Sequence, residues 1–313
     1  MMPHVTGPMP AANQLNHQLN LFHQIHGGNR FPVDVEALTL DVSKRVDPDH
    51  PVTIQGADLP GLEGALYRVE NKSQPNRHQW AILYNNRVSV PGRLRFTLAH
   101  ELGHYLLHRQ MQDTFNCSQG DMLDWQSDER KMESEADIFA SYLLMPMDDF
   151  RRQVTATTVD MDALGHCADR YGVSLTAATL KWLEFTEQRA VLVVSRDGYI
   201  NWARSSESAL KSGAFFRTRN AVLPIPDDSL AARQDGQNCE KNGINLDARV
   251  WFPREPQGMP VREMKIVSDQ YDQTLSLLIM PKAEPRWGRS ADDDDGVEDT
   301  LSRFERNGQP LVR

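Results

Sequence analysis

The chain has 313 residues, 40% of them hydrophobic, so it can bury a sizeable core and is expected to form two domains. Its formal net charge of -9 argues against broad nonspecific nucleic-acid binding, because neutralising phosphates requires a surplus of Lys and Arg. No apolar run in the sequence approaches the length of a membrane span, about eighteen residues, and the opening residues lack a signal-peptide pattern. We therefore expect a cytoplasmic protein.

The first elements are predicted to be helical. Residues 1–14 are rich in Pro and Asn without periodicity, which indicates a disordered leader. Apolar residues then recur at helical spacing over residues 15–25, and Asp34 is placed to cap a second helix that ends near Ser43.

Two apolar-rich runs follow, at residues 64–70 and 80–84, with a polar segment between them. Runs of this length and composition predict strands of an antiparallel sheet.

Residues 95–108 are predicted to form one helix that contains the sequence His-Glu-Leu-Gly-His. His100 and His104 are one helical turn apart, so both imidazoles project from the same face and can share one metal ion. Glu101 stands beside them, where a general base would take a proton from water. A zinc ion lowers the pKa of bound water from about 15.7 to about 7, so this spacing suits zinc hydrolysis.

The flanks of this motif favour a buried helix over a coincidental pattern on a surface helix, because apolar residues surround it on most sides. Buried His and Glu side chains need partners or a metal. His108 lies eight residues beyond His100, about 12 Å along the helix axis, so the two cannot share an ion. We predict that His108 is a helix cap or a surface residue.

A third ligand is predicted on the next helix, over residues 129–146. Glu133 and Asp137 are one turn apart on it. This spacing suits a carboxylate ligand followed by a carboxylate that accepts a hydrogen bond from a ligand imidazole. Glu135 points away by about 200° of helical rotation, so we expect it to be solvated, although it is the alternative ligand.

These two blocks, residues 96–104 and 133–146, resemble the ImmA/IrrE family of metallopeptidases, and the resemblance covers residues 15–150 approximately. It implies that His100, His104 and Glu133 bind zinc and that Glu101 is the catalytic base. The family more often has Asn where this chain has Asp137. The resemblance also implies a specific protein substrate, typically a helix-turn-helix repressor whose cleavage releases stress-response or mobile-element genes.

The segment between the two blocks, residues 110–129, is long, polar and without periodicity, which indicates a loop that is either a lid or an irregular excursion. Residues 164–183 have the pattern of a helix-turn-helix with its turn at Gly172. The second of these helices carries mostly packing residues and one cation, Lys181. We therefore favour a structural helix pair over direct DNA binding.

From residue 189 the pattern changes to strands. Residues 190–195 and 199–204 flank the turn Arg-Asp-Gly and predict a hairpin, and residues 264–267 and 274–280 predict a second strand pair. The residues after about 283 are polar and acidic, which indicates a flexible tail. The three cysteines, Cys117, Cys167 and Cys239, are too few and too far apart to predict disulfides.

The sequence therefore predicts an α+β protein with a leader at 1–14, a zinc metallopeptidase domain at 15–155, a helical segment at 156–188, a β-rich domain at 189–283 and an acidic tail at 284–313. The predicted function is a zinc endopeptidase. The alternative is a DNA- or protein-binding regulator, such as a toxin–antitoxin component, in which the metal site is structural or inactive.

Overall fold

The computed structural model describes residues 7–70, 78–118, 127–155, 158–218, 221–233, 239–268 and 271–286. The fold is α+β, as predicted. The described residues divide into two compact units, the first within 7–152 with Ala168–Ser174 and the second within Gln153–Cys167 with 175–286. The predicted acidic tail lies outside the described residues, except for its first three.

The first unit combines helices with a small sheet. Its elements are α1 (Pro8–His26), α2 (Val35–Val46), β1 (Thr53–Ala57), β2 (Leu62–Glu70), β3 (His78–Asn85), α3 (Pro91–Leu107), β4 (Thr114–Ser118), α4 (Ser127–Leu144) and the start of α5 (Met147–Thr155). The sheet has the strand order β1-β3-β2-β4, with β1 parallel to β3 and the other pairs antiparallel. The α3 helix packs against α4 and against β2 and β3.

Two predicted elements of this unit are confirmed. The carboxylate of Asp34 accepts a hydrogen bond from the Ala37 amide at 3.0 Å, so Asp34 caps α2 as expected. The β2 and β3 strands pair antiparallel, with Leu66 opposite Ile82.

The prediction of a disordered leader was wrong for residues 8–14, because α1 begins at Pro8. Proline is tolerated in the first turn of a helix, where its missing N–H would have no intrahelical partner. Ala11 and Ala12 are buried, and this packing stabilises a turn that composition alone does not favour.

The prediction that residues 110–129 form a loop was also wrong in part. It contains the edge strand β4, which pairs with β2 so that Phe115 lies opposite Leu66, and α4 begins within it at Ser127. Phe115 is 2% exposed, so one apolar side chain anchors a strand whose other residues are mostly polar.

The second unit is dominated by one sheet. Its elements include α6 (Met161–Tyr171), whose last residues belong to the first unit, followed by α7 (Leu175–Phe185), β5 (Arg189–Arg196), β6 (Tyr199–Ser205), α8 (Glu207–Lys211), β7 (Leu223–Pro224), β8 (Cys239–Asp247), β9 (Pro260–Ser268) and β10 (Gln273–Met280). The strand order is β7-β6-β5-β10-β9-β8, and the pairs are antiparallel. The two predicted strand pairs, β5 with β6 and β9 with β10, are confirmed.

The α7 helix packs against β5 and β6. Lys181, the cation considered for DNA contact, is 1% exposed, and its ammonium lies 2.9 Å from the Glu184 carboxylate. Cys167 and Cys239 are free thiols. In the part of the chain that the structure describes, no helix is long and apolar enough to cross a membrane.

A buried carboxylate organises the core of the second unit. Glu263 is 0% exposed and accepts hydrogen bonds from the Leu230 amide at 3.0 Å, the Ala231 amide at 2.8 Å and the Trp251 indole at 2.8 Å. Burial raises the pKa of this carboxyl, and the three N–H donors oppose the rise because they stabilise the charged form. Glu263 therefore ties the loop before β8 to the sheet.

Replacing Glu263 with alanine should lower the free energy of unfolding by at least about 3 kcal/mol, because each of the three buried donors left without an acceptor costs about 1–3 kcal/mol. Urea unfolding followed by circular dichroism would measure this. Glu284→Ala is the control, since Glu284 is exposed, and it should leave the midpoint unchanged. Equal midpoints for both variants would contradict the anchoring role of Glu263.

Candidate metal centre

The candidate site lies where α3 and α4 pack closely against each other. Gly103 of α3 faces α4, and a Cβ atom there would lie 3.0 Å from the Phe139 ring and 3.2 Å from the Ala136 Cα. A larger residue would force the helices apart. Gly103 thus lets the histidines of α3 reach the carboxylates of α4.

The three predicted ligands converge at this contact. The Nε2 atoms of His100 and His104 are 3.0 Å apart, and Glu133 places Oε2 at 3.1 Å from the first and Oε1 at 3.2 Å from the second. Within the described residues these side chains form a group that could hold a metal ion, and all three are buried.

These spacings fit a zinc ion. Ligands about 2.0–2.1 Å from zinc in tetrahedral geometry lie about 3.3 Å from one another, and the three donor atoms already come within a few tenths of an ångström of that separation. Two facing Nε2 atoms beside a carboxylate are also the donor set of catalytic zinc sites, which keep a fourth position for water or substrate.

The electrostatics of the pocket favour the metal-binding protonation states. Burial lowers the pKa of the His104 imidazole to about 4, so this ring is neutral near pH 7. Burial raises the pKa of the Glu133 carboxyl, but the adjacent His100 and His104 side chains outweigh this effect and hold that pKa well below its usual range. Neutral imidazoles and an ionised carboxylate are the forms that bind metals.

Asp137 lies beside the first histidine, as the helical spacing predicts. Its Oδ1 is 2.8 Å from the Nδ1 of His100, and the side chain is fully buried. With its Nδ1–H donated to Asp137, His100 presents the lone pair of Nε2 toward Glu133 and His104.

Glu101 lies on the side of α3 that faces β2. It is 0% exposed, and a Cβ atom on Gly64 of β2 would lie 2.8 Å from its Oε1 and 2.5 Å from the Thr97 Cγ2. The strand backbone therefore packs directly on the carboxylate and fixes its position. On α3, Glu101 directly follows His100, which keeps it next to the ligand cluster.

Gly64→Ala should lower the free energy of unfolding by about 1–3 kcal/mol, because the new methyl group overlaps Thr97 and Glu101. Gly165→Ala is the matched control, since a Cβ atom at Gly165 meets nothing within 4 Å. Urea denaturation of both variants would test this. If Gly64→Ala is as stable as Gly165→Ala, β2 does not hold Glu101 in place.

His108 is a helix cap, as predicted, whereas the expectation that Glu135 is solvated was wrong in part. His108 is the C-terminal cap of α3, but it is 1% exposed rather than at the surface. Its Nδ1 lies 3.1 Å from the Nδ1 of His104, and its Nε2 lies 3.0 Å from Oε2 of Glu135. Glu135 therefore contacts this second histidine and is not simply solvated, although its side chain is 30% exposed.

Sequence reasoning also missed Phe115. Its ring stacks on the His104 imidazole, with centroids 4.6 Å apart and planes inclined by 25°. The spacing of His108 after His104 was the available signal for the histidine contact, since residues four apart share a helix face. For Phe115 no such local signal exists. Its contact with His104 arises because β4 pairs with β2, and β2 packs against α3.

The chain is similar to known proteins in sequence and in structure. Residues 49–183 match the family model described as the IrrE N-terminal-like domain, peptidase M78. The chain is 32% identical over 170 residues to the radiation response metalloprotease IrrE of Deinococcus deserti, an alignment covering 50% of this chain and 57% of that protein. A Mycobacterium tuberculosis transcriptional regulator is similar in structure, with 12% identity, a TM-score of 0.49 and coverage of 86% of this chain and 78% of the other.

The two-histidine, one-glutamate cluster of the first unit has the donor set that catalytic zinc sites use. Residues 49–183 are therefore similar to the ImmA/IrrE family of metallopeptidases. The family match begins after α2 and ends within α7, so it starts and ends later than the predicted resemblance.

Proposed function

We propose that this protein is a zinc-dependent endopeptidase that cleaves a specific protein substrate. The convergence of His100, His104 and Glu133 on one point, with Glu101 next to them on α3, supports this most strongly. The chain spans 57% of the length of the metalloprotease IrrE. The activity of this protein is therefore proposed from its site and is not carried over from that relative.

His100, His104 and Glu133 would hold the zinc ion. When bound, zinc supplies Lewis acidity, which lowers the pKa of a water molecule and polarises the peptide carbonyl. Glu101 accepts the proton as water attacks the carbonyl carbon, and then delivers it to the amine nitrogen as the C–N bond breaks. One water is consumed, and a carboxylate and an amine are formed.

Several features hold these groups ready. Asp137 orients the imidazole of His100, Phe115 packs on that of His104, and Gly64 of β2 packs on the carboxylate of Glu101. Groups fixed before the reaction need no reorganisation during it.

As substrate we propose a helix-turn-helix transcriptional repressor whose cleavage relieves repression in a stress or mobile-element response. The support is the similarity of residues 49–183 to the IrrE N-terminal-like domain and of the chain to the radiation response metalloprotease IrrE of Deinococcus deserti. Direct DNA binding is not part of the proposal, because the cation on α7, Lys181, is buried and lies against Glu184.

The test is to label new protein N-termini in cells that express the chain, with His100→Ala/His104→Ala as the inactive form and Glu129→Ala as a surface control on α4. Wild type and control should release the same few new N-termini, one of them inside a repressor. The double variant should release none. Identical N-termini in all three strains would contradict the proposed function.

A further inference from the structure

We infer that His108 and Glu135 form a hydrogen-bonded relay that fixes the tautomer of His104 and so positions its Nε2 for the metal, an inference that rests on the proposed zinc site. The relay runs from the Glu135 carboxylate to His108 Nε2 at 3.0 Å, and from His108 Nδ1 to His104 Nδ1 at 3.1 Å. His104 Nε2 then faces His100 and Glu133.

The proton positions follow from the donors and acceptors. A carboxylate accepts hydrogen bonds, so the Nε2 of His108 donates to Glu135. A neutral imidazole has one N–H and one lone pair, which leaves the Nδ1 of His108 as an acceptor. The Nδ1 of His104 must then be the donor. Its Nε2 therefore carries a lone pair, which is the state required of a metal ligand.

Because both histidines are buried, loss of a hydrogen bond in this relay would disfavour the tautomer of His104 whose Nε2 is unprotonated. His104 is 0% exposed and His108 1%, so bulk water does not replace a lost contact between them. Without an acceptor at Nδ1, His104 would leave a buried N–H unpaired or move its proton to Nε2. The second outcome occupies the lone pair that would bind the metal.

Both ligand imidazoles are thus served by carboxylates of the same helix. Asp137 contacts His100 directly, whereas Glu135 reaches His104 through His108. Glu133 of the same helix supplies the third ligand, so α4 positions the whole cluster. His108 and Glu135 are positioning residues, since neither is among the three groups placed to hold the metal.

The relay is tested by the zinc affinity of the full chain, measured by competition with a chelating dye. His108→Leu should weaken zinc binding about tenfold to hundredfold, the usual cost of losing a hydrogen-bond partner of a ligand histidine. His108→Asn should recover part of this loss, because its side-chain oxygen lies close to where the Nδ1 acceptor stood. Glu135→Ala should also weaken binding, and Glu129→Ala, an exposed control on α4, should not.

Circular dichroism of each variant separates loss of fold from loss of affinity. If His108→Leu does not fold, Glu135→Ala and His108→Asn still decide the question. Wild-type affinity in His108→Leu and Glu135→Ala, or equal losses for His108→Asn and His108→Leu, would overturn the relay. Absence of zinc binding in the wild type would instead overturn the proposed function, so the two failures are distinguishable.

Discussion

Glu101→Gln is expected to lower the cleavage rate by about 10²- to 10⁴-fold while zinc remains bound. The amide has the shape of the carboxylate and can keep its place against Gly64 of β2, but it cannot take the proton from water. His100, His104 and Glu133 are unchanged in this variant. The measurement pairs the cleavage rate of the identified substrate with the zinc content of the same preparation.

Glu129→Gln is the control for this change, because it has the same chemistry at an exposed position on α4. It should cleave at the wild-type rate. Cleavage retained by Glu101→Gln would place the general base elsewhere. Regulation retained by this variant after cleavage is lost would favour a binding module with a structural metal.

Glu133→Ala is expected to weaken zinc binding by more than about 100-fold, which exceeds the usual effect of losing a residue that only supports a ligand. Glu133 bridges both imidazoles, with one oxygen 3.1 Å from His100 Nε2 and the other 3.2 Å from His104 Nε2. Its removal leaves two neutral histidines and no negative charge among the ligands. Dye competition would measure the affinity.

Glu135→Ala is the matched comparison, since Glu135 lies on the same helix and contacts His108 instead of the cluster. It should bind zinc more weakly than wild type but more tightly than Glu133→Ala. If the order of the two variants is reversed, Glu135 is the ligand and the assignment of Glu133 is wrong.

The site could be predicted from sequence to the extent that helical spacing determines it. His100 and His104 share a face because they are four residues apart, and Glu133 and Asp137 do for the same reason. The structure brings these four side chains together. The sequence pattern does not supply the close contact of the two helices, which depends on Gly103 meeting Ala136 and Phe139.

The relay shows where spacing is insufficient. The distance along the helix axis excludes His108 from the metal, and the structure agrees that it lies outside the ligand cluster. Its burial and its contact with Glu135 depend on how α4 lies against the end of α3. That packing joins residues far apart in the sequence. The helical spacing shows that Glu135 and Glu133 point in different directions, but it does not show that Glu135 faces His108.

The unpredicted strands have a similar explanation. No residue of β1 (Thr53–Ala57) is buried, so the strand lacks the apolar face that marks a half-buried strand. It exists because its backbone pairs in parallel with β3, about 28 residues further along the chain. Thr114–Ser118 likewise becomes β4 through pairing with β2. Apolar runs on either side of a turn made β5, β6, β9 and β10 predictable.

The most direct test of the central claim is X-ray absorption spectroscopy at the zinc edge on the full chain, combined with elemental analysis. We predict about one zinc per chain, with nitrogen and oxygen ligands, two imidazoles among them, no sulphur, and the loss of this signal in Glu133→Ala. A third imidazole would place His108 among the ligands. That result, sulphur ligation, or a chain that takes up no zinc when it is supplied would contradict the account.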